Sequence, residues 1–339
     1  MPHRVRGLGD PVPIPSSPSG RFQGGHRDAA PGGLSPRDLL LALLVVTVWG
    51  SNFVVVHWGL MRVPPLTLAA LRFLFSALPA VFLVRRPNVS WRNLCAFGLT
   101  LGVGQFGLLF IAMRASITPA LAALVLQMQA FFTLFLAAFL LRERLRAHNL
   151  IALAIAGSGI LLIACRAGGF ATATGLALVL LAALAWAICN LVARSAGTTH
   201  MLAYVAWSSL FAVPPLFGIA LFVEGSDPLL HVFSRPDPIV VGVVFWQAAA
   251  NTLLGYGLWN WLLNRYSAAQ VAPLSLLVPV IATFLAWLLI GEALQGWKLL
   301  ACVLILGGLA ANQFGGRAAG GIRRLARRQA GAADPPASD

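Results

Sequence analysis

Hydrophobic positions along this chain fall in long runs, and the charged residues stand almost entirely between them. Ten stretches carry at most one Asp, Glu, Lys or Arg: 39–61, 63–84, 93–113, 115–141, 149–165, 167–193, 195–223, 238–264, 266–291 and 299–316. A helix needs about 20 apolar residues to cross the roughly 30 Å hydrocarbon core of a bilayer. The pattern therefore predicts an all-α polytopic membrane protein with ten transmembrane helices. The fifth and tenth stretches are short, so they are expected to cross with little tilt and to borrow flanking residues.

Composition agrees with that count. Of 339 residues, 59% are hydrophobic and 10% charged, whereas a soluble domain carries about 25% charged residues to coat its surface. A net charge of +14 would suggest a nucleic-acid partner in a soluble protein. Here the cations punctuate apolar runs instead of forming one basic face, which argues against nucleic acid. Sorted by side, with the N-terminus inside, 18 cations fall on the cytoplasmic side and 5 on the other, while Arg72 lies within the second stretch. That bias is the one the positive-inside rule requires. A bacterial inner membrane with both termini cytoplasmic is expected. Residues 1–35, rich in Pro, Gly, Ser and Arg, read as a disordered tail. Residues 316–339 read as a basic tail whose Arg323, Arg324, Arg327 and Arg328 act as a topology anchor or meet anionic lipid headgroups. Cys95, Cys165, Cys189 and Cys302 have no CxxC spacing, so neither a disulfide framework nor a metal site is suggested.

The chain repeats itself. Residues 135–159 align without gaps on 284–308, with Glu143 on Glu292 and Gly159 on Gly308 among nine identities. Leu and Ala matches come cheaply in this composition; a shared Glu does not, because the chain has ten acidic residues in all. Each Glu sits in the turn between the fourth and fifth helices of its half, where a carboxylate is expected to cap the next helix. Arg142, Arg144 and Arg146 around Glu143 become Gly291, Ala293 and Gln295 around Glu292. The second copy has lost the cations that hold a loop inside, as an odd number of helices per half demands. Two inverted-topology five-helix repeats, 36–166 and 167–315, are an architecture of secondary transporters.

Particular strings carry a resemblance. Trp49-Gly50-Ser51-Asn52-Phe53, Pro64-Pro65-Leu66, Leu71-Arg72-Phe73, Leu126-Gln127-Met128-Gln129-Ala130 and Ala272-Pro273-Leu274-Ser275 together resemble EamA-type members of the drug/metabolite transporter superfamily. The similarity runs from about residue 38 to 315. It implies an inner-membrane exporter of small metabolites, with amino acids and derivatives such as cysteine and O-acetylserine as expected substrates and drugs or other metabolites as the alternative within the superfamily.

A small polar metabolite must be held by hydrogen bonds and ring faces within the spans. Trp49 and Asn52 share a face of the first helix, and Trp186 and Asn190 share a face of the sixth, its repeat equivalent. Asn offers donors and acceptors to an ammonium and a carboxylate; Trp offers a ring wall and one donor. The competing reading is helix packing. Gln105 stands among Gly98, Gly102, Gly104 and Gly107. Gln127 and Gln129 lie two apart, so a regular helix would aim only one of them, here Gln127, at a cavity. Gln247 and Asn251 share a face of the eighth helix, with Tyr256 roughly opposite. Arg72, about 11 Å in from Pro65 at 1.5 Å per residue, is either a cation facing a substrate carboxylate or a guanidinium satisfied by helix-end carbonyls or headgroups. No carboxylate lies in the interior of a span, so His57 is the candidate for proton coupling. No buried nucleophile is paired with a base and no GxxxxGK[ST] string occurs, so neither an enzyme nor an ATP-driven pump is expected, and no cofactor is implied. A membrane scaffold or receptor is the alternative from another class. The sequence leaves the oligomeric state open.

Overall fold

The computed structural model describes residues 34–332 except 141, 143, 144, 167, 198 and 199, so the expected tail 1–33 and Glu143 lie outside the described residues. Among the described residues ten helices are long and apolar enough to cross a membrane: α1 (Pro36–Leu60), α2 (Pro65–Leu83), α3 (Trp91–Ala115), α4 (Pro119–Leu140), α5 (Ala147–Arg166), α6 (Ala173–Ala196), α7 (Met201–Val223), α8 (Pro238–Arg265), α9 (Ala272–Ile290) and α10 (Gly296–Gly315). The last continues as helix to Ala332. A short connecting helix, Asp227–Ser234, lies between α7 and α8. Among the described residues no strand forms beyond one isolated bridge, Ile117 to Ala171.

Local chemistry sets the starts. Ser35, Ser90, Thr172 and Asp237 each accept a hydrogen bond from a backbone N–H in the first turn of α1, α3, α6 and α8. These side chains satisfy donors that a helix leaves unpaired. Two other starts are capped from the opposite half of the chain. Glu224, after α7, accepts from Leu66 N–H at 2.7 Å and Thr67 N–H at 2.8 Å at the head of α2. Glu292, after α9, accepts from Thr118 Oγ1 at 2.6 Å and Ala120 N–H at 3.2 Å at the head of α4. The sequence suggested that Glu292 caps the next helix, α10; it caps α4, while Lys298 of α10 pairs with it at 2.9 Å.

The halves α1–α5 and α6–α10 interlock as inverted copies. α1 packs on α9 and α6 on α4, α2 packs on α7, and α5 packs on α10. Lipid tails are as apolar as Leu, so close approach of small residues drives such packing in place of hydrophobic collapse. A Cβ on Gly98 would stand 2.1 Å from the Ser208 carbonyl oxygen, which only glycine permits where α3 meets α7.

Regular helix is interrupted at matching places in both halves. α3 carries a π-helical segment, Thr100–Gly107, and its counterpart α8 carries another, Trp246–Leu254. α4 breaks at Gln127 and Met128, where N–H groups reach carbonyls three residues back, and α9 opens with 3-10 turns over Ala272–Leu276. Irregular backbone at this depth is tolerated where protein or a cavity satisfies it.

Candidate functional site

These four irregular segments, with α1 and α6, surround a cavity of about 430 Å³ at the junction of the halves. The first helix contributes Trp49 and Asn52, and the sixth contributes Trp186 and Asn190, so the paired Trp and Asn of the two repeats face one space. Gln105 from α3, Gln127 and Gln129 from α4, and Asn251, Tyr256, Trp259 and Asn260 from α8 complete its polar and aromatic wall. No Asp, Glu, Lys, Arg or His lines it among the described residues.

The π-helical segment of α8 shapes one wall. Trp49 Nε1 donates to the Asn251 carbonyl at 3.2 Å, and its ring stacks obliquely on Tyr256 and Trp259 with centroids 5.8 and 5.1 Å away. Gly255 makes room, since a Cβ there would stand 2.5 Å from Trp49 Nε1. Opposite, Asn190 Nδ2 donates to Gln129 Oε1 at 2.9 Å and to Thr133 Oγ1 at 3.2 Å. Asn52 Oδ1 and Gln105 Oε1 are buried acceptors with no hydrogen-bond partner, so the wall holds two oxygens ready for a donor.

Two residues singled out from sequence lie elsewhere. Gln247 is fully buried away from the cavity lining, with both amide atoms unpartnered. Arg72 is 3% exposed and lies behind the wall, its Cζ 3.4 Å from the centroid of the Phe106 ring and 5.3 Å from that of Phe73. Among the described residues it makes no hydrogen bond or ion pair, to helix-end carbonyls or otherwise, and Nη1 is buried without a partner. His57 lines a separate recess of about 220 Å³ with Met113, Thr118 and Phe170, toward the end of the bundle where Glu292 sits.

The cavity lining is buried toward that end and more exposed at the other. Val56, Phe110 and Met113, its lining nearest the Glu292 end, are buried, whereas Leu263 at the opposite end is 38% exposed. The buried end carries Glu292 with Lys298, Glu224 on the head of α2, and an Arg62–Asp237 ion pair at 2.7 Å. Lys298 is covered, with Nζ 3.7 Å from the Phe170 ring centroid. Asp237 lies outside the spans, and the Ile239 N–H, with Arg62 beside it, holds its carboxyl below the usual range. At the more exposed end Tyr266 donates to Asp38, and Tyr204 donates to Asn93 at 2.5 Å.

Two stretches of the chain, 37–165 and 173–312, match one family's sequence pattern. The chain belongs to the EamA-like transporter family. This EamA-like transporter is 43% identical over 300 residues to a probable amino-acid metabolite efflux pump of Salmonella typhimurium, covering 87% of this chain and 99% of that one. It is 42% identical over 288 residues to the Escherichia coli protein of the same description, covering 83% of this chain and 96% of that one. A probable terminal-alkyne amino-acid exporter of Streptantibioticus cattleyicolor is 26% identical over 76% of this chain and 87% of its own length. A solved crystal structure shares the fold with a TM-score of 0.56 at 21% identity, over 81% of this chain and 96% of that one.

Within the EamA-like fold, Gln129, Tyr256, Trp259 and Asn260 are cavity residues that helical periodicity did not bring forward. Periodicity fails at Gln127 and Gln129 because the helix stops between them, so both amides reach the cavity. The cluster Gly102, Gly104 and Gly107 was the visible signal of irregular backbone in α3.

Proposed function

We propose that this transporter exports small amino-acid metabolites, cysteine and O-acetylserine among them, from the cytoplasm across the bacterial inner membrane. The observation that carries the proposal is the uncharged amide and aromatic wall at the junction of the two halves. A zwitterion has no net charge and needs no counter-ion; it needs donors and acceptors for its two ends, which amide side chains provide together. A fully charged metabolite would lack compensation in such a site. The relatives described as amino-acid metabolite efflux pumps support the same substrate class.

The mechanism we infer is alternating access. The repeats are inverted, so exchanging their arrangements turns a cavity open at one end into one open at the other. The cation bias assigns the open end to the cytoplasm, which makes this the loading state. Closure would bring together the α6–α7 and α8–α9 ends, while opening outward would part α4 from Glu292 and α2 from Glu224.

Reconstituted chain in liposomes tests the reading. Labelled cysteine or O-acetylserine should cross faster than in empty liposomes and saturate, and overexpression in a bacterial host should raise thiol in the medium. Uptake no faster than in protein-free liposomes for both compounds would overturn it.

A further inference from the structure

A guanidinium fully inside a membrane protein, with no carboxylate against it, is an unfinished arrangement. Arg72 lies at depth in α2, 3% exposed, with Nη1 unpartnered. Two cavity-lining residues lie near it, the Phe106 ring and Tyr256. Phe106 lines the cavity on one side and carries the Arg72 Cζ 3.4 Å from its centroid on the other. Buried cations of this kind are kept where they pair with another group or mark a substrate pathway. Among the described residues no carboxylate or hydrogen-bond partner meets it, and the Phe106 ring face with Tyr256 nearby supplies only partial compensation.

The geometry points to a covered carboxylate subsite: Phe106 is a lid, and when it swings aside Arg72 receives the carboxylate of a zwitterionic substrate. This inference rests on the amino-acid reading above. The other end of the substrate is provided for by Asn52 Oδ1 and Gln105 Oε1, the two buried acceptors of the wall that lack a donor. An ammonium supplies donors to both. Gln105 and Phe106 are neighbours in sequence, so the ammonium acceptor and the lid belong to one stretch of α3. That stretch is π-helical over Thr100–Gly107, with glycines at 102, 104 and 107. Return of one such turn to ordinary α geometry rotates the residues beyond it by about 100°, since a helix turns once per 3.6 residues. Gly102 packs against Ala212 and Gly104 against Ala185, so the lid moves by rotation of the Phe106 side chain unless these contacts also part. The planar guanidinium is suited to the task because it grips a carboxylate through two parallel N–H donors, which a lysine cannot do.

The test compares cysteine with cysteinamide, in which a neutral amide replaces the carboxylate, by quenching of the cavity tryptophans in purified chain held in lipid nanodiscs. The unaltered chain should bind cysteine about 10- to 150-fold more tightly than cysteinamide, the range for one hydrogen-bonded charge. Arg72→Gln should bring that ratio near one while leaving cysteinamide affinity largely as it was. An unchanged ratio in Arg72→Gln would overturn the subsite and leave the exporter reading standing. Should Arg72→Gln not be recovered folded, Phe106→Leu decides: with Arg72 uncovered, cysteine affinity should rise several-fold against that of cysteinamide, and equal movement of both would overturn the lid. Failure of the unaltered chain to bind either cysteine or O-acetylserine would overturn the subsite and the substrate class together.

Discussion

Gly159 of α5 lies against Ala301 of α10 so closely that a Cβ on the glycine would stand 3.0 Å from the alanine's carbonyl oxygen. Their repeat equivalents make the same contact with the helices exchanged, a Cβ on Gly308 falling 2.6 Å from the Ala152 carbonyl oxygen. The pair of contacts is the local signature of the inverted repeat. Among the described residues α2, α5 and α10 contribute no side chain to the cavity; α5 and α10 join the halves, and the other seven helices line the space.

Packing of this kind predicts a steric penalty confined to stability. Gly308→Val should cost about 1 to 3 kcal/mol by overpacking, read as a lower thermal midpoint in detergent. Gly157→Val on α5 meets nothing within 4 Å and should leave the midpoint almost unchanged.

Glu292 and Lys298 form a buried pair, 9% and 2% exposed. Glu292→Gln leaves the ammonium uncompensated, a change that costs about 3 to 5 kcal/mol in buried pairs. Adding Lys298→Met should recover much of that loss. A double-mutant cycle on thermal midpoints measures the coupling, and additive losses would show that the pair contributes nothing jointly.

For the exposed Arg62–Asp237 pair the pH dependence has a definite sign. The carboxyl of Asp237 is held below its ordinary range in the folded chain. Its contribution is therefore complete above about pH 4, the unfolded carboxylate value, and is lost as pH falls through the lower folded value. Asp237→Asn should lower the thermal midpoint at pH 7, and the gap between variant and parent should close under more acid conditions.

Export should depend on the asparagines that recur in the two repeats. Asn52→Ala or Asn190→Ala, at equal protein level, should weaken substrate affinity by about 10- to 150-fold if each contacts a charged group of the ligand. Asn190→Ala also releases Gln129 and Thr133. Unchanged cysteine efflux in both variants would return the two residues to helix packing.

The orientation has its own check. Cysteine placed at Asp227 should react with an impermeant thiol reagent added to intact cells, and cysteine placed at Arg92 should not. The opposite pattern would invert the assignment of the open end to the cytoplasm.

The helix count and the two-repeat plan were legible because spans are written in composition alone, and a shared Glu and Gly survive in both copies. The placing of Trp49, Asn52, Trp186 and Asn190 around one space was legible for the same reason, since symmetry marks what periodicity leaves ambiguous. Phase was not legible. The cavity takes Asn251, Tyr256 and Asn260 from α8 and leaves Gln247 out, and no proline or charge announces the π-helical segment there in the sequence. Arg72 was readable as a charge at depth, but not as a charge behind Phe106, because that depends on how α2 and α3 lie against each other. The capping of α4 by Glu292 joins residues 172 or more apart in sequence and was likewise beyond local rules.

The uncharged wall also bears on energetics at the scale of the whole membrane. Each elementary charge carried across 100 mV exchanges about 2.3 kcal/mol with the membrane potential. A zwitterion contributes none, and the wall itself holds no ionised side chain, so a gating charge would have to come from a residue behind it, Arg72 first. If Arg72 keeps its depth as the cavity changes sides, uncoupled export of a zwitterion is expected to be electroneutral and to follow the concentration ratio of that substrate. A diffusion potential imposed on liposomes with potassium and valinomycin should leave the rate unaltered, so that a cell gains the same relief from an overfilled metabolite pool whether its membrane is energised or not.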